Sequence, residues 1–144
     1  MIVSQMLKTK DNPGVVSVKP SDPVTDAVKL LSAKRIGTVV VSGDGEALDG
    51  ILSERDIVRE LGKRGPSCLS EPVSSMMTSA LTTCTPSDTA LEVLEVMTNG
   101  RFRHLPVMED GKMIGLISIG DAVKGRLAQL AMEKDALEGM IMGH

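Results

Sequence analysis

Gly50-Ile51-Leu52-Ser53-Glu54-Arg55-Asp56 is answered later in the chain by Gly115-Leu116-Ile117-Ser118-Ile119-Gly120-Asp121. Each stretch is an apolar run opened by glycine and closed by Ser-x-x-Asp, the pattern of a short strand turning directly into a helix. Working outward, Pro20-Ser21-Asp22 recurs as Pro86-Ser87-Asp88 at an offset of 66, and the same offset carries Arg35 onto Arg101, Val41 onto Val107 and Asp44-Gly45 onto Asp110-Gly111. Upstream, Val3-Ser4-Gln5-Met6 resembles Val73-Ser74-Ser75-Met76, with extra residues in the loop at 10–13. The chain is a duplication of a unit of about sixty residues.

Each copy reads alike. Asp22 followed by Pro23, with apolar Val24, Ala27, Val28 and Leu31, predicts a capped helix with one apolar stripe; Ala90, Val93, Leu94 and Met97 repeat it. Thr38-Val39-Val40-Val41, a turn at Gly43-Asp44-Gly45, and Gly50-Ile51-Leu52 predict a hairpin. The second copy matches with His104-Leu105-Pro106-Val107, Asp110-Gly111 and Ile114-Gly115-Leu116-Ile117. A short strand at 15–18 or 81–84 precedes each first helix, and a second helix starts at Ser53 or Ser118. Pro106 cannot donate to a ladder, so its strand is expected to expose an edge. Sixty residues bury too little surface to stand alone, so the copies are expected to pack about a pseudo-twofold axis, leaving two clefts.

Composition narrows the function. The 144 residues are 42% hydrophobic and 24% charged, as in a globular protein, but Phe102 is the only aromatic residue, so base-stacking platforms are missing. The net charge is −3, and residues 71–144 carry six basic against ten acidic side chains, which argues against a nucleic-acid-binding module. No apolar run is long enough for a bilayer and no secretory pattern opens the chain, so a cytoplasmic protein without a membrane partner is expected. Cys68 and Cys84, with only His104 and His144 as imidazoles, do not make a zinc site; both cysteines read as small buried hydrophobes. Nucleophilic catalysis has little to work with beyond a His104–Cys84 pair, so no catalytic residues are assigned, although a small nucleotide-hydrolysing enzyme remains the alternative. The closing Gly143-His144 is compatible with an addition to the natural chain.

Ser53-x-x-Asp56 and Ser118-x-x-Asp121 admit two readings. In a capping box, Ser accepts from a first-turn amide while the carboxylate reaches back to the Ser amide. In a nucleotide site, the serine and helix amides cradle phosphate while the carboxylate takes the two hydroxyls of a ribose. The roles compete for the same oxygens.

The duplicated Gly-x-x-Ser-x-x-Asp ending and the His104-Leu105-Pro106-Val107 strand resemble a pair of cystathionine-β-synthase (CBS) domains, a Bateman module. The resemblance covers about residues 3–126. It implies an α+β fold of two β-α-β-β-α domains, at 1–66 and 67–128, followed by a helical tail at 129–144. It also implies adenosine-containing ligands such as AMP, ADP, ATP, NAD(H) or S-adenosylmethionine, with no metal. Carried over, the first site comprises Ser17, Lys19, Gly37, Thr38, Val39, Ile51, Ser53, Arg55 and Asp56. The second comprises Thr83, Thr85, Arg103, His104, Leu105, Ile117, Ser118, Gly120 and Asp121. Adenine would lie between aliphatic walls such as Ile51, Ile117 and Leu105.

The copies differ where phosphate would sit. Arg55 is matched by Gly120, and Gly37-Thr38 by Arg103-His104, so unequal affinities are expected; a charge-assisted bond contributes about 1.5–3 kcal/mol. An unperturbed His104 would weaken phosphate binding as pH rises through about 6.5. The tail, with Val123, Leu127, Leu130, Leu137 and Ile141 on one side, suits either its own module or a homodimer contact, and Lys134 breaks any long coiled-coil seam. The expectation is a regulatory, non-catalytic adenine-nucleotide sensor, an energy or redox sensor acting on an unidentified partner protein.

Overall fold

The computed structural model describes residues 1–10 and 14–142; of the expected extra loop at 10–13, residues 11–13 lie outside the described residues, as does the Gly143-His144 pair. Elements follow the order α1 (Val3–Lys8), β1 (Ser17–Val18), α2 (Val24–Lys34), β2 (Thr38–Val41), β3 (Gly50–Ser53), α3 (Glu54–Arg64), 3₁₀ turns at Pro66–Ser70 and Val73–Ser75, α4 (Ala90–Gly100), β4 (His104–Glu109), β5 (Lys112–Ser118) and α5 (Ile119–Met142). This is an α+β fold with two repeats and a C-terminal helix. The described residues form two compact units: 14–82 with 110–114, and 1–10 with 83–109 and 115–142.

In the first unit β1 runs parallel to β2, with Ser17 opposite Val40, and β2 runs antiparallel to β3, with Thr38 opposite Ser53. Val39, Val41 and Leu52 are fully enclosed against Val24, Ala27 and Leu31 of α2. In the second unit β4 and β5 form a two-stranded sheet whose core holds Val93, Met97, Leu105 and Ile117. Asp110 and Gly111 both take positive φ, 53° and 77°, the tight hairpin turn that their sequence predicts.

The segments upstream of the two repeats are exchanged. Val3 and Met6 of α1 are buried in the second unit, where the Val3 amide donates to Asp88 O at 2.8 Å and Ser4 to Pro86 O at 3.0 Å. The matching Val73 and Ser74 donate to Asp22 O and Pro20 O, at 2.8 and 3.0 Å, in the first unit. Each Pro-Ser-Asp motif is thus a docking edge for the copy of the Val-Ser segment that lies farther away in sequence.

Two local expectations need correction. Asp22 does not cap α2: Pro23 occupies the N-cap with no side-chain bond, which leaves Asp22 one residue too early to reach the first-turn amides. Its carboxylate instead accepts from the Lys19 amide at 2.9 Å, as Asp88 does from Thr85 at 2.8 Å. In the second repeat Thr89 is the cap, in a reciprocal box with Glu92. The strand expected at 81–84 shrinks to one parallel bridge between Cys84 and Val107. In the first repeat Val40 donates to Val16 O and Ser42 to Val18 O; the second keeps Met108 to Cys84 O, but Pro106 stands at the place of Val40 and has no proton to give.

Candidate functional site

In each repeat one corner brings the start of the middle strand against the start of the last helix. Glu54 N–H donates to Gly37 O at 2.9 Å, and the β2–β3 register sets Thr38 beside Ser53. In the second repeat Ile119 N–H donates to Arg103 O, also at 2.9 Å, which sets Arg103 and His104 beside Ser118. Glycine at the head of β3 is a close-approach residue, since a Cβ at Gly50 would stand 2.9 Å from Thr78 O.

The Ser-x-x-Asp motif forms a capping box in both copies. Asp56 N–H donates to Ser53 Oγ at 3.2 Å, while Asp56 Oδ2 accepts from the Ser53 amide at 3.0 Å and its hydroxyl at 2.9 Å. Asp121 N–H donates to Ser118 Oγ at 3.1 Å, and Asp121 Oδ2 accepts from the Ser118 amide at 2.9 Å. The bonds of Glu54 and Asp56, and of Ile119 and Asp121, leave the amides of Arg55 and Gly120 as first-turn donors for an anion.

The remaining expected residues fall as follows. Thr38 and Val39 are buried, Gly37, Ile51 and Ser53 half-buried, and Ser17, Lys19 and Arg55 exposed. In the second repeat Thr83, Thr85, Arg103 and Gly120 are exposed, and His104, Ser118 and Asp121 half-buried. Leu105 and Ile117 are enclosed in the core, whereas Leu116 is half-buried. An offset of 65 carries half-buried Ile51 onto Leu116, and enclosed Leu52 onto Ile117. The half-buried residue equivalent to Ile51 is therefore Leu116, while Ile117 is the equivalent of Leu52.

The cations on the two carboxylates come from different places. Asp56 Oδ1 pairs with Arg59 Nη2 at 2.9 Å, on its own helix. Asp121 Oδ2 pairs with Lys10 Nζ at 2.9 Å, and the same ammonium donates to Leu116 O at 2.8 Å. Sequence reading missed Lys10, because nothing local signals a contact across 106 residues. Burial pushes Asp121 up, but the Ser118 amide and Lys10 outweigh it and hold the carboxyl below its ordinary value. Burial, then Lys10, lowers His104 against the pull of Asp121. The pH range in which His104 carries charge therefore lies below the ordinary histidine range expected from sequence. Burial and then Asp88 push the Cys84 thiol up to about 12, which keeps it protonated and a poor nucleophile at neutral pH.

Both cysteines are buried and free. Among the described residues no group of three or more His, Cys, Asp or Glu is placed to hold a metal, and no helix is long and apolar enough to cross a membrane. A separate groove of about 460 Å³ between α2 and α3, lined by residues including Leu31, Arg35, Gly37, Glu54 and Ile57, shares only Gly37 with the expected sites.

Two such corners, each a strand running into a Ser-x-x-Asp helix start, define a tandem-repeat module. The CBS domain family model matches residues 7–63 and 73–127, and the chain belongs to that family. It is 39% identical over 126 residues to the mitochondrial CBS domain-containing protein CBSX3 of Arabidopsis thaliana, covering 85% of this chain but only 61% of that longer relative. A crystal structure of a CBS-domain containing protein from Agrobacterium tumefaciens superposes with a TM-score of 0.82 at 40% identity, covering 88% of this chain and 99% of that one. The structure of CBSX2 in complex with AMP superposes with a TM-score of 0.73 at 29% identity, over 88% and 96% of the two chains.

Proposed function

We propose that this chain is a non-catalytic regulatory module that binds adenine nucleotides, AMP foremost, at its two strand-to-helix corners. The observation that carries the reading is the duplicated corner itself: a helix start with an unspent amide, a serine and a carboxylate, built twice, in a fold shared with an AMP-bound relative. The Arg55 amide and guanidinium in one copy, and the Gly120 amide beside Arg103 and His104 in the other, would receive phosphate. Asp56 and Asp121 would take ribose hydroxyls, with Ile51 and Leu116 as apolar walls. The nucleotide acts by linkage: it favours whichever conformation or homodimeric association binds it more tightly, and a regulated partner protein reads that population.

The test is isothermal calorimetry of the full chain against AMP, ADP, ATP, NADH and S-adenosylmethionine. Saturable AMP binding with two unequal affinities is expected, one lost in Asp56→Ala and the other in Asp121→Ala. If both substitutions lower stability while leaving every affinity unchanged, the carboxylates are caps alone and the ribose assignment is wrong.

A further inference from the structure

The two repeats solve the same local problem differently. In the first, Ile51 O accepts from a backbone donor, the Thr78 amide at 2.9 Å, and the cation on Asp56 is Arg59, one turn along the same helix. In the second, both duties fall to the ammonium of Lys10: it donates to Leu116 O, the counterpart of Ile51 O, and pairs with Asp121 Oδ2. Lys124 stands at the place of Arg59, yet Asp121 takes its charge from Lys10. The Lys10 and Asp121 side chains are 23% and 20% exposed, so the pair is partly withdrawn from solvent screening.

We propose that Lys10 is a specificity-determining latch on the second nucleotide site, holding one of the two carboxylate oxygens that a ribose diol would use and so weakening that site relative to the first. The inference rests on the nucleotide-binding reading above. Asp121 Oδ2 already accepts from the Ser118 amide and pairs with an ammonium 2.9 Å away, so its charge is already compensated. A diol must displace Lys10 to donate there. In the first site Asp56 Oδ2 serves the Ser53 amide and the Ser53 hydroxyl, a neutral donor that can rotate away, while Arg59 pairs with Oδ1 from a side chain that is 51% exposed and free to swing into water. The latch is also selective: a ligand whose phosphate can receive the displaced ammonium recovers part of the loss, whereas adenosine recovers none.

The experiment is calorimetry of AMP and adenosine binding to the full chain, wild type against Lys10→Met, which keeps the aliphatic stem, and Lys10→Gln, which keeps a neutral donor. Asp121→Asn marks which binding event belongs to the second site. In Lys10→Met that event should tighten about tenfold for adenosine, the low end of what a charge-assisted bond contributes, because the pair is partly exposed. The gain should be smaller for AMP, with the first-site affinity unchanged. Lys10→Gln should fall between. A second-site affinity that stays the same or weakens in Lys10→Met overturns the latch and leaves the nucleotide reading standing. No AMP heat from wild type and both Lys10 variants overturns the nucleotide reading, and the latch with it.

Discussion

Asp56→Ala is the substitution whose cost the structure specifies most closely. Asp56 is buried, its side chain 12% exposed, and loss of the carboxylate removes three bonds: two from Ser53 at 3.0 and 2.9 Å, and one from Arg59 at 2.9 Å. The Arg59 pair contributes little, because its partner is half in solvent; about 0–1 kcal/mol is usual for such pairs. The Ser53 cap itself survives, since its hydroxyl still accepts from the backbone amide at 56, but the Ser53 amide, left partly buried without an acceptor, costs about 1–3 kcal/mol. The expected total is about 2–3 kcal/mol, or a fall in Tm of roughly 5–10 °C for a chain of this size. Asp56→Asn, which retains an acceptor oxygen for the amide, should lose about half as much. With one Phe and neither Trp nor Tyr, the measurement should be differential scanning calorimetry or far-UV circular dichroism in urea rather than fluorescence. A drop in Tm of less than about 1 °C for Asp56→Ala would refute the reasoning, since it would mean that the box contributes nothing the unfolded chain lacks.

Other outcomes follow from particular residues. Arg35 and Arg101 close α2 and α4 with φ of 53° and 58°, so Arg101→Gly should raise stability by about 0.5–1 kcal/mol in chemical denaturation. Gly50→Ala should cost about 1–3 kcal/mol by the same assay, because the new methyl meets Thr78 O and Met77 Sδ at 2.9 and 2.7 Å. Pro106→Val restores the missing ladder donor, and hydrogen exchange should then show a protected amide at 106. His104 has a lowered pKa in the folded state, so below about 6.5 the unfolded chain takes up more protons. Its contribution to stability is complete above that pH and is lost as pH falls through the folded value; His104→Gln should flatten this acidic limb in a series of melts.

Relations confined to one turn or one repeat were legible from the residues alone. The reciprocal bonds of Ser53 with Asp56, and of Ser118 with Asp121, follow from an i, i+3 spacing that helix geometry fixes. The Asp110-Gly111 turn follows from the positive φ that both residues tolerate. The duplication alone placed the two corners at equivalent positions. Reading failed where one residue must be judged against a partner strand. Pro106 removes a bond from the neighbouring segment rather than from its own, and the inward face of β5 selects Ile117 for the core and leaves Leu116 beside the corner.

What the sequence determined by itself is therefore the doubled strand-to-helix corner and its chemistry, because short-range hydrogen bonds and side-chain periodicity depend on neighbours along the chain. Only the tertiary structure decided which upstream segment completes each core, and which cation reaches Asp121. Val3 and Met6 could have packed beside their own repeat, and Lys124 lies only three residues from Asp121 along the chain. Burial and the Coulomb interaction depend on distance in space, and the fold brings Lys10 to Asp121 and Leu116 across more than a hundred residues that carry no local record of the contact.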